Sequence, residues 1–189
     1  MERDFDRALQ YFKKAVELGD EQAPEIYNMV LQNQLIEEGV EARESGESEL
    51  AYLLFSEAAQ YQNPVALLYC GIMNISGEGV ERNLEKAQDY LERAAELGNE
   101  DASQILQKFP EEKLLDEGRI AVEMGEYERA FAIYEKLAEA GNADGMYNCG
   151  VMFDSGVVVE KDLEKAREYF EMAASMGSEQ AANVLEKLG

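Results

Sequence analysis

The chain has 189 residues, of which 46% are hydrophobic, and its 40 acidic and 17 basic side chains give a formal net charge of −23. The hydrophobic content is enough for a sizeable core and argues against global disorder, while the charge disfavours nucleic acid and anionic membrane surfaces as partners. The chain contains no histidine, which excludes serine–histidine and cysteine–histidine catalysis and histidine-bound metals.

Amphipathic helices are predicted along the whole chain, because apolar residues recur at helical spacing opposite a charged face. In chain order the clearest segments are FDRALQYFKKAVEL, LAYLLFSEAAQY, LEKAQDYLERAAEL, YERAFAIYEKLAEA and LEKAREYFEMAASM. Asp4, Asn83 and Asp162 precede helices as N-caps. The predicted C-terminal stops are Gly19, Gly98, Gly141 and Gly177. No segment alternates like a strand, and no apolar run is long enough to span a bilayer.

Two longer helices are predicted at residues 21–45 and 100–124. The second contains Pro110, which lacks an N–H group and crowds the preceding turn. Pro110 should therefore either kink the helix or break it, with a restart at Glu111, and we favour the break.

A step of 79 residues relates the two halves of the chain. The segment CGIMNISGEGVERNLEKAQDYLERAAELGNEDA begins at Cys70 and returns, altered, as CGVMFDSGVVVEKDLEKAREYFEMAASMGSEQA from Cys149. The same step relates residues outside these segments, such as Gly39 and Gly118. Such self-similarity marks a solenoid, in which each unit buries its apolar face against its neighbours. We expect a single domain over residues 1–189.

Each 79-residue unit contains two helix-pair motifs. In the first, Gly39 is followed by Ala51 and Phe55, a pattern that lets two antiparallel helices pack closely. The second motif, at residues 66–102 and 145–181, has a glycine turn between its helices, SGEGV in the first copy.

The second motif resembles the Sel1-like repeat, and the first is similar to the tetratricopeptide repeat. The resemblance implies an all-α fold, a right-handed α-solenoid of antiparallel helix pairs that mixes Sel1-like and tetratricopeptide-like repeats. The chain departs from the Sel1 pattern at Asn74, Phe153, Gly145 and Val158, which we interpret as packing changes.

The chain opens on a half-motif, DFDRALQYFKKAVELGDEQA, which matches the second helix of a pair. A missing first helix would have covered Phe5, Leu9 and Phe12. One interpretation is that the chain is a piece of a longer repeat array, and the uncovered helix predicts self-association. The charged N-terminal sequence MERDFDRALQ lacks the apolar core of a signal peptide, and we expect a cytoplasmic protein.

No catalytic, cofactor or metal site is predicted. Cys70 and Cys149 occupy equivalent places in the two copies and are expected to be buried at helix contacts without forming a disulfide. The glycines of SGEGV follow no strand and precede no Gly-Lys-Ser/Thr, so they are not a phosphate loop. Acidic pairs such as Glu37–Glu38 fall on solvated helix faces. We expect that the chain is not an enzyme.

The candidate binding residues lie on the first helix of each pair, which in these repeat families lines the concave face. The helix PVALLYCGIMNIS is apolar nearly all round, so it is either covered on two sides or has a face that awaits a partner. Arg43 and Arg119 are rare positive charges and are candidates to hold a peptide carboxylate. The partner-binding candidates are Arg43, Leu68, Ile72, Ile75, Arg119, Val122, Tyr147, Val151 and Asp154.

The function expected is that of a non-catalytic scaffold or adaptor, which binds a protein or peptide in its concave groove. One interpretation of the acidic charge is that this partner is basic. The main alternative is an inhibitor or immunity-type protein that masks a basic enzyme or toxin. A cell-wall or lactam hydrolase-like activity is implied only by secreted, cysteine-rich members of the family, and the cysteine pattern here argues against it.

Overall fold

The computed structural model describes residues 4–188, and within that range every regular element is an α-helix, which confirms the all-α prediction. The helices are α1 (Phe5–Glu17), α2 (Ala23–Glu44), α3 (Ser48–Ala59), α4 (Pro64–Ser76), α5 (Leu84–Glu96), α6 (Glu100–Glu123), α7 (Tyr127–Glu139), α8 (Ala143–Ser155), α9 (Leu163–Ser175) and α10 (Glu179–Leu188).

The chain forms two compact units, Met1–Gln107 and Lys108–Gly189. In the first unit each helix from α1 to α5 packs against the next one in sequence, and in the second unit α7 to α10 do the same. Short turns join these helices, so neighbours run antiparallel, as the repeat pattern predicted. The single domain expected over residues 1–189 stays a prediction.

Glycines set the close approach of the helices within each pair. A Cβ atom on Gly39 of α2 would lie 2.7 Å from the Phe55 ring of α3, and a Cβ on Gly118 of α6 would lie 2.5 Å from the Tyr134 ring of α7. Real Cβ contacts are longer, so a larger residue at either position would require the facing ring to move. The predicted role of the small-and-aromatic motif is confirmed in both copies.

The predicted helix boundaries are confirmed by their capping contacts. The side chains of Asp4, Asn83 and Asp162 accept backbone N–H bonds from the first turns of α1, α5 and α9 at 2.9–3.1 Å. The four predicted stops have φ values between +83° and +95°, which favour glycine; they are Gly19, Gly98, Gly141 and Gly177.

The long helix α6 continues through Pro110, so the break expected there is wrong. Its helical path is supported by side chains on either side of the proline. Phe109 is 3% exposed, and Leu114 and Leu115 pack against the core of the second unit. Burial of these three side chains outweighs the one backbone hydrogen bond that proline removes.

Candidate functional site

The predicted site residues fall into two sets, one in each unit. Arg43, Leu68, Ile72 and Ile75 belong to α2 and α4 of the first unit. Arg119, Val122, Tyr147, Val151 and Asp154 belong to α6 and α8 of the second. Each set therefore lies on the first helices of its own unit.

Arg43 is held by a carboxylate of its own unit. Its Nε donates to both oxygens of Glu78 at 3.1 Å, and its Nη2 donates to Glu78 Oε2 at 3.0 Å. The Ser48 hydroxyl donates to Glu78 Oε1 at 3.3 Å. The guanidinium also lies 6.0 Å from the centre of the Tyr69 ring, which itself stacks on Phe55 with 4.4 Å between the ring centres. We call Arg43, Ser48, Tyr69 and Glu78 the arginine clamp.

The glycine turn after α4 brings Glu78 to Arg43. Gly79 has φ +70°, and a Cβ atom there would overlap the carbonyl of Ser48 at the start of α3. The turn therefore rests directly on the backbone of the preceding helix pair, and only glycine allows this approach. The extra residues of SGEGV thus connect one pair to the pair before it.

The two charges of the clamp stabilise each other. The hydrogen bonds from Arg43 lower the pKa of the Glu78 carboxyl, with Ser48 adding to the effect. The hydrogen bond to Glu78 likewise raises the pKa of Arg43. Both side chains are partly exposed, at 37% and 29%, so the pair is accessible to solvent and to ions.

The second unit has no counterpart of the clamp. At the 79-residue step Arg43 becomes Val122, Glu78 becomes Val157 and Ser48 becomes Tyr127. Val157 is 53% exposed. Among residues 4–188 only one non-glycine residue, Gln62, has a positive φ, so Val158 does not adopt the conformation of Gly79. The two glycine turns therefore differ in structure as well as in sequence.

The apolar candidates of the first unit differ in exposure. Leu68 is buried, with 8% of its surface exposed, whereas Ile72 and Ile75 are half-buried. The Ile75 carbonyl accepts a bond from Arg82 Nε at 2.7 Å, which ties the end of α4 to the loop before α5. Beside them, the clamp residues Arg43, Tyr69 and Glu78 line a shallow pocket with Val40 and Glu44.

In the second unit the candidates are more exposed. Val151 is 39% exposed, and Tyr147 is half-buried with its ring 5.7 Å from that of Phe170. Asp154 is exposed and pairs with Lys161 at 3.5 Å.

The two candidates on α6 of the second unit are less available than Val151. Arg119 is engaged within its own helix by Asp116 and Glu123. Val122 packs against the core cluster around Tyr134. Both arginine candidates, Arg43 and Arg119, therefore have a carboxylate beside the guanidinium.

Sequence reasoning missed three members of the clamp, Ser48, Tyr69 and Glu78. A signal for them exists in the sequence, because the clamp residues change together between the copies. Arg43, Ser48 and Glu78 are polar in the first copy, while all three equivalents in the second copy are apolar or aromatic.

The two thiols are buried and unpaired with each other, as predicted. Burial raises the pKa of Cys70 to about 11 and that of Cys149 to about 12, so neither is a thiolate near neutral pH. Within residues 4–188 no three cysteine or carboxylate side chains gather closely enough to hold a metal ion. None of the helices in that range combines the length and apolar content needed to cross a membrane.

Comparison with known sequences identifies the repeat. The sequence model of the Sel1 repeat matches residues 1–20, 64–99, 124–142 and 143–178, together more than half of the chain. The ERAD-associated E3 ubiquitin-protein ligase component HRD3 of Candida glabrata is 27% identical over 134 residues, which are 67% of this chain and 15% of HRD3. The chain thus spans a small part of the length of this relative.

Three bacterial proteins are among the solved structures to which the chain is similar. A Sel1 repeat protein from Oxalobacter formigenes is 21% identical with a TM-score of 0.40, covering 95% of this chain and 74% of that protein. The protective antigen c5321 of uropathogenic Escherichia coli is 22% identical with a TM-score of 0.37, covering 92% and 34%. The cysteine rich protein B of Helicobacter pylori is 20% identical with a TM-score of 0.28, covering 96% and 94%.

Proposed function

The chain belongs to the Sel1 repeat family, and we propose that it is a non-catalytic interaction module that binds a protein or peptide on its first helices. Sel1 repeats generally act as protein–protein interaction scaffolds. In the first unit the binding surface is formed by α2 and α4, and in the second by α6 and α8. These are the helices on which the sequence analysis placed the groove.

One observation carries the proposal: α8 leaves the apolar side chain of Val151 exposed at its surface. Tyr147 and Val151 are four residues apart and therefore neighbours on one helix face. Val151 is 39% exposed, and Tyr147 is half-buried because its ring also packs against the core around Phe170. Cys149 and Met152 of the same helix are buried. An apolar face at a helix surface is a typical docking site for a peptide or a partner helix.

The charge of the chain supports a basic partner. A net charge of −23 attracts positively charged proteins and raises their association rate. A partner that carries lysine and arginine around an apolar anchor would match both features.

The relative HRD3 supports assembly with other proteins. Its name describes it as a component of an E3 ubiquitin-protein ligase. Because the chain spans only 15% of HRD3, we carry over only the general role of joining an assembly.

Affinity capture tests the proposal. The full chain is immobilised, and bound proteins from the source cell are identified by mass spectrometry. Val151→Ala and Ile72→Ala should each reduce the recovery of the bound partner. Their controls are Met172→Ala on α9 and Leu53→Ala on α3, which remove side chains that are 42% and 64% exposed on second helices of the same units. Equal recovery with all four variants would contradict the proposal, as would the absence of any captured protein.

The same capture separates the scaffold role from the alternative role of an inhibitor. If the chain masks a basic enzyme or toxin, the captured protein should be a basic enzyme whose activity falls when the chain is added. A scaffold would leave the activity of its partner unchanged.

We also propose a cytoplasmic location. Both thiols are free, which fits a reducing compartment. Cell fractionation followed by detection of the chain in each fraction would test this location.

A further inference from the structure

The second unit contains an open cleft on a different side of α8 from Tyr147 and Val151. Its volume is about 760 Å³, and it is lined by Phe131, Glu135, Phe153 and residues 159–165. It lies between α7, the C-terminal half of α8 and the start of α9. We call this space the aromatic cleft.

Two rings line the cleft, those of Phe131 on α7 and Phe153 on α8, and the Tyr169 ring of α9 packs against Phe153. The Phe153 ring meets the Phe131 ring edge-on, with 5.7 Å between their centres. The Tyr169 ring stacks on Phe153 with 5.6 Å between their centres. All three residues are half-buried, so part of the aromatic surface remains open to a ligand.

The equivalent place in the first unit is built differently. Phe153 is replaced there by Asn74, which is fully buried and donates to the Tyr52 hydroxyl at 3.1 Å and to the Cys70 carbonyl at 2.8 Å. The cleft beside Tyr52 and Tyr90 has a volume of about 390 Å³, about half that of the aromatic cleft. The Phe153 ring and the larger cleft volume are therefore features of the second copy, whereas the cleft of the first copy is lined by the rings of Tyr52 and Tyr90.

The aromatic cleft already holds a cation. Lys165 Nζ lies 5.2 Å from the centre of the Phe153 ring, within the distance at which a ring attracts an ammonium group. Lys165 is an exposed side chain, so a competing cation can reach the same ring.

The charges around the aromatic cleft favour a positive ligand. Four carboxylates and two ammonium groups line it, and one of the ammonium groups, that of Lys161, is paired with Asp154 at 3.5 Å. The carboxylates are those of Glu135, Glu160, Asp162 and Glu164.

We propose that the aromatic cleft binds an arginine side chain from a basic segment of the protein partner, and that this arginine displaces Lys165 from the Phe153 ring. A guanidinium is planar and weakly hydrated, so it can stack on the ring and bond to a carboxylate such as Glu135 at the same time. This proposal depends on the proposed function in one respect, because both require that the ligand is part of a protein. It names a second site, separate from the first-helix surface.

The test uses nuclear magnetic resonance with the ¹⁵N-labelled full chain at 0.15 M salt. The probe is the peptide acetyl-Gly-Ala-Arg-Ala-Gly-amide, and the matched control peptide carries norleucine in place of arginine. The arginine peptide should shift the amide signals around Phe153 and Lys165, and the norleucine peptide should not. Phe153→Leu, which keeps an apolar side chain but removes the ring, should weaken binding about two- to fivefold.

Lys165→Met provides the sharper test, because the proposal makes Lys165 a competitor of the ligand. This variant should bind the arginine peptide about threefold more tightly than Lys187→Met. The Lys187 variant is the control, because it removes the same charge from α10 of the same unit. At this salt concentration charges more than about 8 Å apart are largely screened from each other. Glu135→Gln changes an exposed side chain and should weaken binding without affecting the fold.

Three results would overturn the proposal: no shifts near Phe153, equal affinity for both peptides, or weaker binding by the Lys165 variant than by the Lys187 variant. Failure here is distinguishable from failure of the proposed function, because the capture experiment uses variants of Val151 and Ile72, which lie outside the aromatic cleft.

Discussion

Gly79→Ala should destabilise the first unit more than Gly98→Ala, a change of another left-handed glycine in that unit. Gly79 has φ +70°, and an L-residue in this left-handed region costs about 1–2 kcal/mol. Its new Cβ would also overlap the Ser48 carbonyl, and a contact of this kind costs about 1–3 kcal/mol as the neighbouring groups move apart. Together these effects lower the free energy of unfolding by about 2–5 kcal/mol.

Gly98→Ala is the matched control. Gly98 has φ +88°, but a Cβ atom there would meet nothing within 4 Å, so only the backbone cost of about 1–2 kcal/mol applies. Urea unfolding followed by circular dichroism at 222 nm compares the two variants. Amide hydrogen exchange at the start of α3 should also become faster in the Gly79 variant alone. Equal destabilisation of both variants would refute the contact between the glycine turn and α3.

Three further predictions concern single side chains. Arg43 lowers the pKa of Glu78 in the folded state. The stability that Glu78 adds is therefore complete above the ordinary glutamate pKa of about 4.3 and is lost as the pH falls through the lowered value. The stability of Glu78→Gln should accordingly depend less steeply on pH in acid unfolding than that of the unsubstituted chain. Cys70 and Cys149, with pKa values raised to about 11 and 12, should resist iodoacetamide at pH 8 and react only in urea, and rapid labelling of the folded chain would contradict their burial. Asn142→Ala removes the N-cap of α8 and should lower the free energy of unfolding by about 1 kcal/mol in urea; an unchanged unfolding midpoint would argue against the cap.

The helices could be predicted from the sequence because their signals are local. An apolar stripe repeats within a dozen residues, and a cap such as Asn83 lies directly before the helix it serves. The close packing of Gly39 on Phe55 could be predicted too, because the 79-residue step repeats the same pair of residue types in Gly118 and Tyr134.

Pro110 shows where local signals were insufficient. The cost of a proline inside a helix is local, but the packing that supports α6 on either side of it involves side chains of other helices. The burial of Phe109 at 3% depends on tertiary structure, and a single sequence does not show it.

The arginine clamp could not be predicted from the sequence for a related reason. Arg43 was predicted to hold a carboxylate, but its partner Glu78 is 35 residues away. The contact depends on how the glycine turn rests on Ser48, which the helical pattern does not specify. The correlated change of Arg43, Ser48 and Glu78 between the copies was the available clue.

The central claim is that the first helices of each unit form a binding surface, and Val151 tests it most directly. Two quantities are measured for Val151→Ala, the melting temperature and the dissociation constant for the captured partner. Both are compared with the values for the control variant Met172→Ala. Because Val151 is 39% exposed, the melting temperature of the Val151→Ala variant should barely change. Binding of the partner should weaken in Val151→Ala and not in Met172→Ala. A loss of stability of roughly 1–4 kcal/mol, as for a buried large-to-small change, together with unchanged binding, would contradict the account.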